Sequence, residues 1–484
     1  MVRCGNAVTP WAEAREAARE LGDRLWPVAG RPVPLDRAVG AVLAQDLTAL
    51  VGVPPFDAAA MDGYAVAGPG PEWTVVGRVL AGEEPGGPGP RGGGPSGDAV
   101  GAGAASFRRT GGGALDGSGR LHGATGESPA DRAPAPAPDP APASAAAAGP
   151  APERGFPAEP LALRPGEAVE IATGAPVPPG ADSVLPYELA TLDTTAHGSV
   201  TKVTRVTGEI APGRHVRRAG EDTAPGATVL PAGSTVTPAV VGLAAGLGHD
   251  TLTVRRPRVA ALVTGDEIAA AGRPGAGQVR DAIGPVLPSL TASAGAEVTA
   301  LRYIGDGFDT MVEALNAAAA PVDVVVVCGA SSKGPADHLR AALTRIGATV
   351  VVDGVSCRPG HPQLLAHLGT PEDPGTVVVG LPGNPNAALA AAVTLLAPLL
   401  RAMAGAPDPG AALPPTARVK GAIRPHAHDT RLVAVRVTGG QAEPVGHDRP
   451  GSLRGAALAD AYAVIPPGWS GPYAALVWLP RGGG

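Results

Sequence analysis

Residues 322–334 read VDVVVVCGASSKG. Four consecutive valines bounded by a run of small residues describe a strand buried on both faces that empties into a turn. The same syntax recurs on either side. RVAALVTGDEI (258–268) is a buried strand ending in a loop, and AEVTALRYIGD (296–306) and ATVVVDGVSC (348–357) continue the series. TVVVGLPGNPNAALAAAVTLLAPLL (376–400) joins a strand to a long apolar helix. PVLPSLTASAG (285–295) is a helix candidate weakened by Pro288. Strands of this kind alternating with helices predict a three-layer α/β domain with a parallel sheet. Ligands of such sheets bind beyond the carboxyl ends of the strands. That places interest on Thr264 to Glu267, Asp306, Gly329 to Gly334, Arg358 to Pro362 and Leu381 to Pro385.

Outside this core the chain changes character. Thr9 reads as a helix N-cap, with Pro10 at the first helical position and a Glu-rich helix up to Gly22. Residues 82–160 are dominated by Gly, Pro and Ala and cannot bury enough apolar surface to order themselves. They read as a disordered insertion within one β-rich unit. WTVVGRVL (73–80) before them and SVTKVTRVTGEI (199–210) after them are both strand-like. PAVVGLAAGLG (238–248) reads as an apolar helix, and the tail from 414 onward as a small β domain.

At 484 residues the chain exceeds what one core organises. Aromatics make up 3% of it, so Ala, Val and Leu must fill the cores. A net charge of -6 argues against a general nucleic-acid binder. Cys4, Cys328 and Cys357 form no pairing or zinc pattern, which suits a reducing, cytoplasmic setting. The N-terminal residues lack an apolar secretory core. AALAAAVTLLAPLL (387–400) is too short to span a membrane and reads as a buried helix, so no membrane partner is expected.

Several turns could carry chemistry. CGASSKGPADHL (328–339) follows a strand and precedes a helix, without the spacing of a phosphate-binding P-loop. It fits either an ordinary strand-to-helix turn or an anion cradle of backbone N–H groups. In RPGHP (358–362), Arg358 and His361 share one rigid turn, which suits an oxyanion as well as solvent. LPGNP (381–385) sets Asn384 at a helix start. Asp62, Asp222, Glu267, Asp281, Asp306 and Asp337 are each, alone, a cap or a solvated loop residue. Asp281, Asp306 and Asp337 lie near strand ends of one sheet, where converging carboxylates would hold Mg²⁺ against phosphates.

Seven phrases occur in order: FDAAAMDGYAV (56–66), IATGAPVPPGADSVLPYE (171–188), RRAGEDTAPG (217–226), RVAALVTGDEI, PADH (335–338), RPGHP and LPGNP. Together they resemble the molybdopterin molybdenumtransferase family, to which the gephyrin E domain belongs. The resemblance covers nearly the whole chain except 82–160. It implies four domains: an elongated first domain from 5–50 and 214–253, and a β-rich second from 51–213. A molybdopterin-binding α/β domain follows from 254–405, and a C-terminal β domain from 412–484. It implies a homodimer that uses adenylyl-molybdopterin and molybdate as substrates, with Mg²⁺, to give molybdenum cofactor and AMP. Contacts with molybdopterin adenylyltransferase or with molybdoenzyme chaperones would follow. The catalytic positions carried over are Asp62, Thr173, Asp222, Glu267, Asp306 and Asp337, with Glu267, Asp306 and Asp337 toward the metal. Substrate binding would involve Gly329, Ser331, Ser332, Lys333, Gly334, Arg358, His361, Pro382, Gly383, Asn384, Pro385 and Ser452, with Arg431 a more distant candidate.

The chain departs from the family pattern in places. Arg358 and His361 stand where the family has lysines, and Gly329-Ala-Ser-Ser-Lys333-Gly334 replaces Gly-Gly-Val-Ser-Val-Gly. Asp281-Ala282-Ile283 replaces Asp-Ser-Asn or Asp-Thr-Asn, and Ala387 stands where a serine is common. Lys333 would restore a cation lost from the RPGHP turn. A working transferase, a pterin-binding scaffold that lost turnover, and a pterin adenylyltransferase are the readings to separate. The matching carboxylates favour the first.

Overall fold

The computed structural model describes residues 8–25, 28–80, 161–197, 201–329, 337–370, 375–406, 415–447 and 449–480. The expectation of disorder at 82–160, and the roles given to Ser331, Ser332, Lys333 and Gly334, lie outside the described residues. The chain forms two compact units: Met1–Phe56 together with Arg218–Gly484, and Asp57–Arg217.

The Val-rich segments form a six-stranded sheet. Arg258–Thr264, Glu297–Ile304, Val324–Cys328 and Val377–Leu381 run parallel. Side-chain alternation explains why these runs lack a polar face. Val259, Ala261 and Val263 pack with Trp11–Arg24, Leu287–Ser293 and the long helix, whereas Ala260 and Leu262 pack against Phe308–Ala319 and Leu339–Arg345. Pro288 does not break its helix, because it sits in the first turn, where its missing N–H has no helical partner to lose.

One edge of the sheet is antiparallel. Leu364–His367 pairs antiparallel with both Val377–Leu381 and Thr349–Asp353. The links on either side of it are too short for the crossover that a parallel connection requires. The second half of ATVVVDGVSC leaves this sheet altogether: Val355–Arg358 pairs with Thr430–Thr438 of the C-terminal domain. That domain is a closed barrel, with strands in the order Thr430–Thr438, Gln441–Pro444, Thr416–Val419, Tyr473–Trp478, Ala461–Ile465 and back to Thr430–Thr438.

Thr9 is not an N-cap. Thr9 and Pro10 form a short strand parallel to Val355–Ser356, and the helix begins at Trp11 with no side-chain cap.

The helix from Pro385 to Ala404 is long and apolar enough to cross a membrane, yet 89% of its apolar window is buried inside the protein. Pro398 cannot donate to the carbonyl one turn earlier, and a π-helical turn, Ala392–Leu396, precedes it. The N-terminal helix compensates: Arg15 Nη1 donates to the Val393 carbonyl at 2.6 Å, and Trp11 Nε1 donates to the Thr394 hydroxyl at 3.0 Å.

In the other unit, Glu72–Val79 and Glu167–Ile171, the strands flanking residues 81–160, pair parallel within one six-stranded sheet.

Candidate functional site

Strand ends of the α/β sheet carry the first cluster. Thr264 ends the Arg258–Thr264 strand, and its hydroxyl donates to Asp306 Oδ1 at 3.2 Å. The Asp306 N–H donates to Asp266 Oδ1 at 3.1 Å. Asp306 is thus held from both sides on an exposed loop. Asp266, within the same Thr-Gly-Asp-Glu stretch, is a contributor that the motif alone does not single out. Glu267 is exposed nearby, its carboxylate folded back over Gly265.

Gly329 follows Val324–Cys328 with φ +107, and its N–H donates to the Leu381 carbonyl at 3.1 Å. A Cβ there would lie 2.5 Å from the Thr264 carbonyl oxygen. Only glycine lets three neighbouring strands release their loops this close together. Gly383 completes the approach, its own Cβ position lying 3.5 Å from Gly329 Cα.

The LPGNP turn then starts the long helix. Asn384 occupies the N-cap position without a side-chain cap bond. The helix N–H groups of Asn386 and Ala387 turn instead to the Pro450 carbonyl, at 2.9 and 3.3 Å. That contact brings the barrel loop carrying Ser452 to the same place, with Gly451 near Asn384 Oδ1. Pro382 is buried, while Gly383 and Asn384 are exposed.

The RPGHP turn packs on the first turns of this helix, since a Cβ on Gly360 would meet the Ala387 carbonyl at 3.1 Å. Buried Gln363 supports it from beneath: Nε2 donates to the Gly360 carbonyl at 2.8 Å and to Cys357 Sγ at 3.3 Å. Arg358 and His361 are exposed. Arg358 is also paired with Asp429, a partner 71 residues away that no sequence signal announced.

One expectation is corrected. Asp281 does not converge with Asp306 and Asp337 on a metal. It is buried, Oδ1 accepts the N–H groups of Ile283 and Gly284, and Oδ2 accepts the Tyr303 hydroxyl. It is a local cap of the Gly284–Val286 turn. Ile283 joins the core beside Leu287 and Leu381. Among the described residues no three His, Cys, Asp or Glu side chains come together in a group that could hold a metal ion.

Asp337 Oδ1 accepts the Leu339 N–H at 3.2 Å, and its side chain is only 5% exposed. Burial pushes this carboxyl up to about 6, against the opposing pull of the Leu339 N–H and Arg340. Ionising it therefore costs folding free energy. Its contribution to stability is full below the ordinary carboxylate range and is lost as pH rises through about 6. Asp337→Asn is expected to flatten the pH dependence of the denaturation midpoint between about pH 4 and 7, and to stabilise the chain above that window by about 1–3 kcal/mol. Parallel denaturant titrations of both proteins at several pH values check this.

The second unit holds Asp62 and Thr173. Gly63–Val66 pairs with Glu167–Ile171, which sets Thr173 beside Asp62. Asp62 Oδ1 accepts the Thr173 N–H at 2.6 Å and its hydroxyl at 2.9 Å. These two bonds, the backbone one foremost, hold the exposed Asp62 carboxyl below its usual range. Gly63 is forced, because a Cβ would stand 2.1 Å from the Leu185 carbonyl oxygen. Asp222 lies in the first unit, exposed, its N–H on the Val53 carbonyl at 3.0 Å.

Comparison with known proteins bears on this arrangement. Three family models match: "MoeA N-terminal region (domain I and II)" over residues 9–248, "Probable molybdopterin binding domain" over 260–402, and "MoeA C-terminal region (domain IV)" over 416–473. Molybdopterin molybdenumtransferase 2 of Mycobacterium tuberculosis is 32% identical over 389 residues, covering 78% of this chain and 76% of that protein. Molybdopterin molybdenumtransferase of Bacillus subtilis is 30% identical over 315 residues, covering 64% and 71%. The crystal structure of a MoeA protein from Pyrococcus horikoshii shares the fold, with a TM-score of 0.60 at 22% identity over 98% of this chain and 99% of that one.

Proposed function

The chain belongs to the MoeA family of molybdopterin molybdenumtransferases, and we propose that it inserts molybdate into adenylyl-molybdopterin, releasing AMP. It is a transferase of molybdenum cofactor biosynthesis. One observation supports the chemistry above the rest: the loops after Thr264, Cys328 and Leu381 meet at the carboxyl ends of adjacent parallel strands, with the barrel loop of Ser452 beside them.

In this reading the pterin and its phosphates occupy the strand ends, where glycine backbones allow close approach. Asp306, oriented by Thr264 and Asp266, and Asp337, with a carboxyl that changes charge near pH 6, hold or accept protons as the anhydride opens. Arg358 and His361 receive molybdate, a tetrahedral dianion, on the rigid turn. Asp62 and Thr173 in the second unit, and Asp222 in the first, are proposed as further catalytic residues. Mg²⁺ is proposed to arrive on the substrate phosphates, which supply most of its ligands. The cytoplasm is the proposed compartment, in keeping with the two buried free thiols Cys328 and Cys357.

Homodimer formation is part of the proposal. Pro238–Gly246 is a helix without a charged residue, yet only Ala244 is buried and Leu243 is 37% exposed. A helix apolar all round calls for a covering surface, and a second copy would supply it. Leu243→Asp is expected to convert a two-copy mass in light scattering to one copy at micromolar protein. An unchanged mass would reject this face.

AMP release that rises with added molybdate tests the reaction. Release by the pterin alone, indifferent to molybdate, would reject it. The scaffold alternative draws on the Arg358–Asp429 pair, which offsets one cation of the anion turn. Tight pterin binding without turnover would support it.

A further inference from the structure

Arg358 is held by an acid from the barrel, Asp429. Its Nε–H donates to Asp429 Oδ2 at 2.6 Å. The arginine side chain is 63% exposed and the aspartate 13%, so a fixed acceptor captures a cation that reaches it along the surface. Strand pairing makes this contact: Cys357 and Arg358 lie opposite Thr430 and Arg431, immediately after Asp429. Asp429 is anchored by its own N–H, which donates to His426 Nδ1 at 3.0 Å, and the same nitrogen lies 3.3 Å from Oδ2.

We propose that Asp429 competes with the incoming oxyanion for Arg358 and thereby sets the affinity and charge selectivity of the turn. The proposal rests on the reading of this turn as the molybdate site. Asp429 has two opposed effects. It orders the guanidinium, which favours binding. It also cancels the arginine charge and repels an anion placed beside it. Ordering one exposed side chain is a small effect. Repulsion grows with the charge of the ligand, so for a dianion competition outweighs ordering. A lysine would answer the same acid as a point charge, whereas the guanidinium can donate Nε–H to Asp429 and keep its outer N–H groups for a ligand. The acid thus gives the lysine-to-arginine departure at this position a structural counterpart.

Isothermal titration of the full chain with molybdate tests this, using Asp429→Asn, Arg358→Met and the double variant. Asn keeps the shape and the backbone contact to His426. Asp429→Asn is expected to bind molybdate about tenfold more tightly at low salt, with the gain shrinking as salt rises. Perrhenate, tetrahedral but singly charged, gains less. The double variant shows no gain. Equal or weaker molybdate binding by Asp429→Asn would overturn the proposal and make Asp429 a positioning residue. If Arg358→Met alone leaves molybdate affinity unchanged, the underlying oxyanion reading fails, whatever Asp429 does.

Discussion

Gly329→Ala is expected to abolish molybdate-dependent AMP release, lowering it at least about a hundredfold, and to destabilise the first unit by about 2–4 kcal/mol. Two independent constraints meet at this residue. Its φ of +107 is a conformation that side chains resist. An added methyl would also stand 2.5 Å from the Thr264 carbonyl oxygen, which is backbone and cannot swing away. The strands of Thr264 and Cys328 would have to part. Parting them moves Thr264, and with it the hydroxyl that holds Asp306. Stability and turnover should therefore fall together. The check is AMP release measured beside a denaturant titration. A variant that is destabilised yet turns over normally would detach Gly329 from the site.

Asn386→Ala is expected to carry the second largest effect, because Asn386 fastens the barrel to the α/β body. The residue is 2% exposed. Its Oδ1 accepts the hydroxyl of Tyr462 at 2.7 Å, and its Nδ2 donates to the Arg449 carbonyl at 3.3 Å. Burial raises the pKa of the Tyr462 hydroxyl, which keeps it a neutral donor. Truncation would leave that donor without its acceptor in the interior, at a cost of about 2–3 kcal/mol. It would also loosen the 449–452 loop and so weaken whatever Ser452 contributes to substrate affinity. Tyr462→Phe removes the same bond at a smaller cost of about 1 kcal/mol. The two changes should combine to less than their sum, since both delete one interaction. Additive losses in denaturation midpoints would show that the pair does not act as a unit.

The α/β core could be read from residues because its signal is local. Valine runs with no polar face mean burial on both sides, and Val259 and Ala260 do pack into opposite layers. The antiparallel edge was not legible, since Thr349–Asp353 carries the same valine run as its parallel neighbours and Leu364–His367, only four residues long, carries no valine run to mark it as a strand. Nor was the departure of Val355–Arg358 to the barrel, because strand partners far apart in sequence leave no periodic trace. The site divides along the same line. Strand-end glycines and the Asp62–Thr173 pair follow from motifs whose geometry is largely local or set by one sheet. Asp281 misled because a carboxylate near a strand end looks alike whether it faces a ligand or caps its own backbone two residues on. Asp429 stayed hidden because its meaning comes entirely from Arg358, which a strand pairing brings to it.

The most direct test of the central claim mixes purified full-length chain with adenylyl-molybdopterin, molybdate and Mg²⁺, and counts AMP released against activity restored to a cofactor-free molybdoenzyme. The account predicts that the two rise together and that both require molybdate. Pterin retained on the protein with no AMP and no restored activity would contradict it, leaving a chain that keeps the family's fold and groove without the family's reaction.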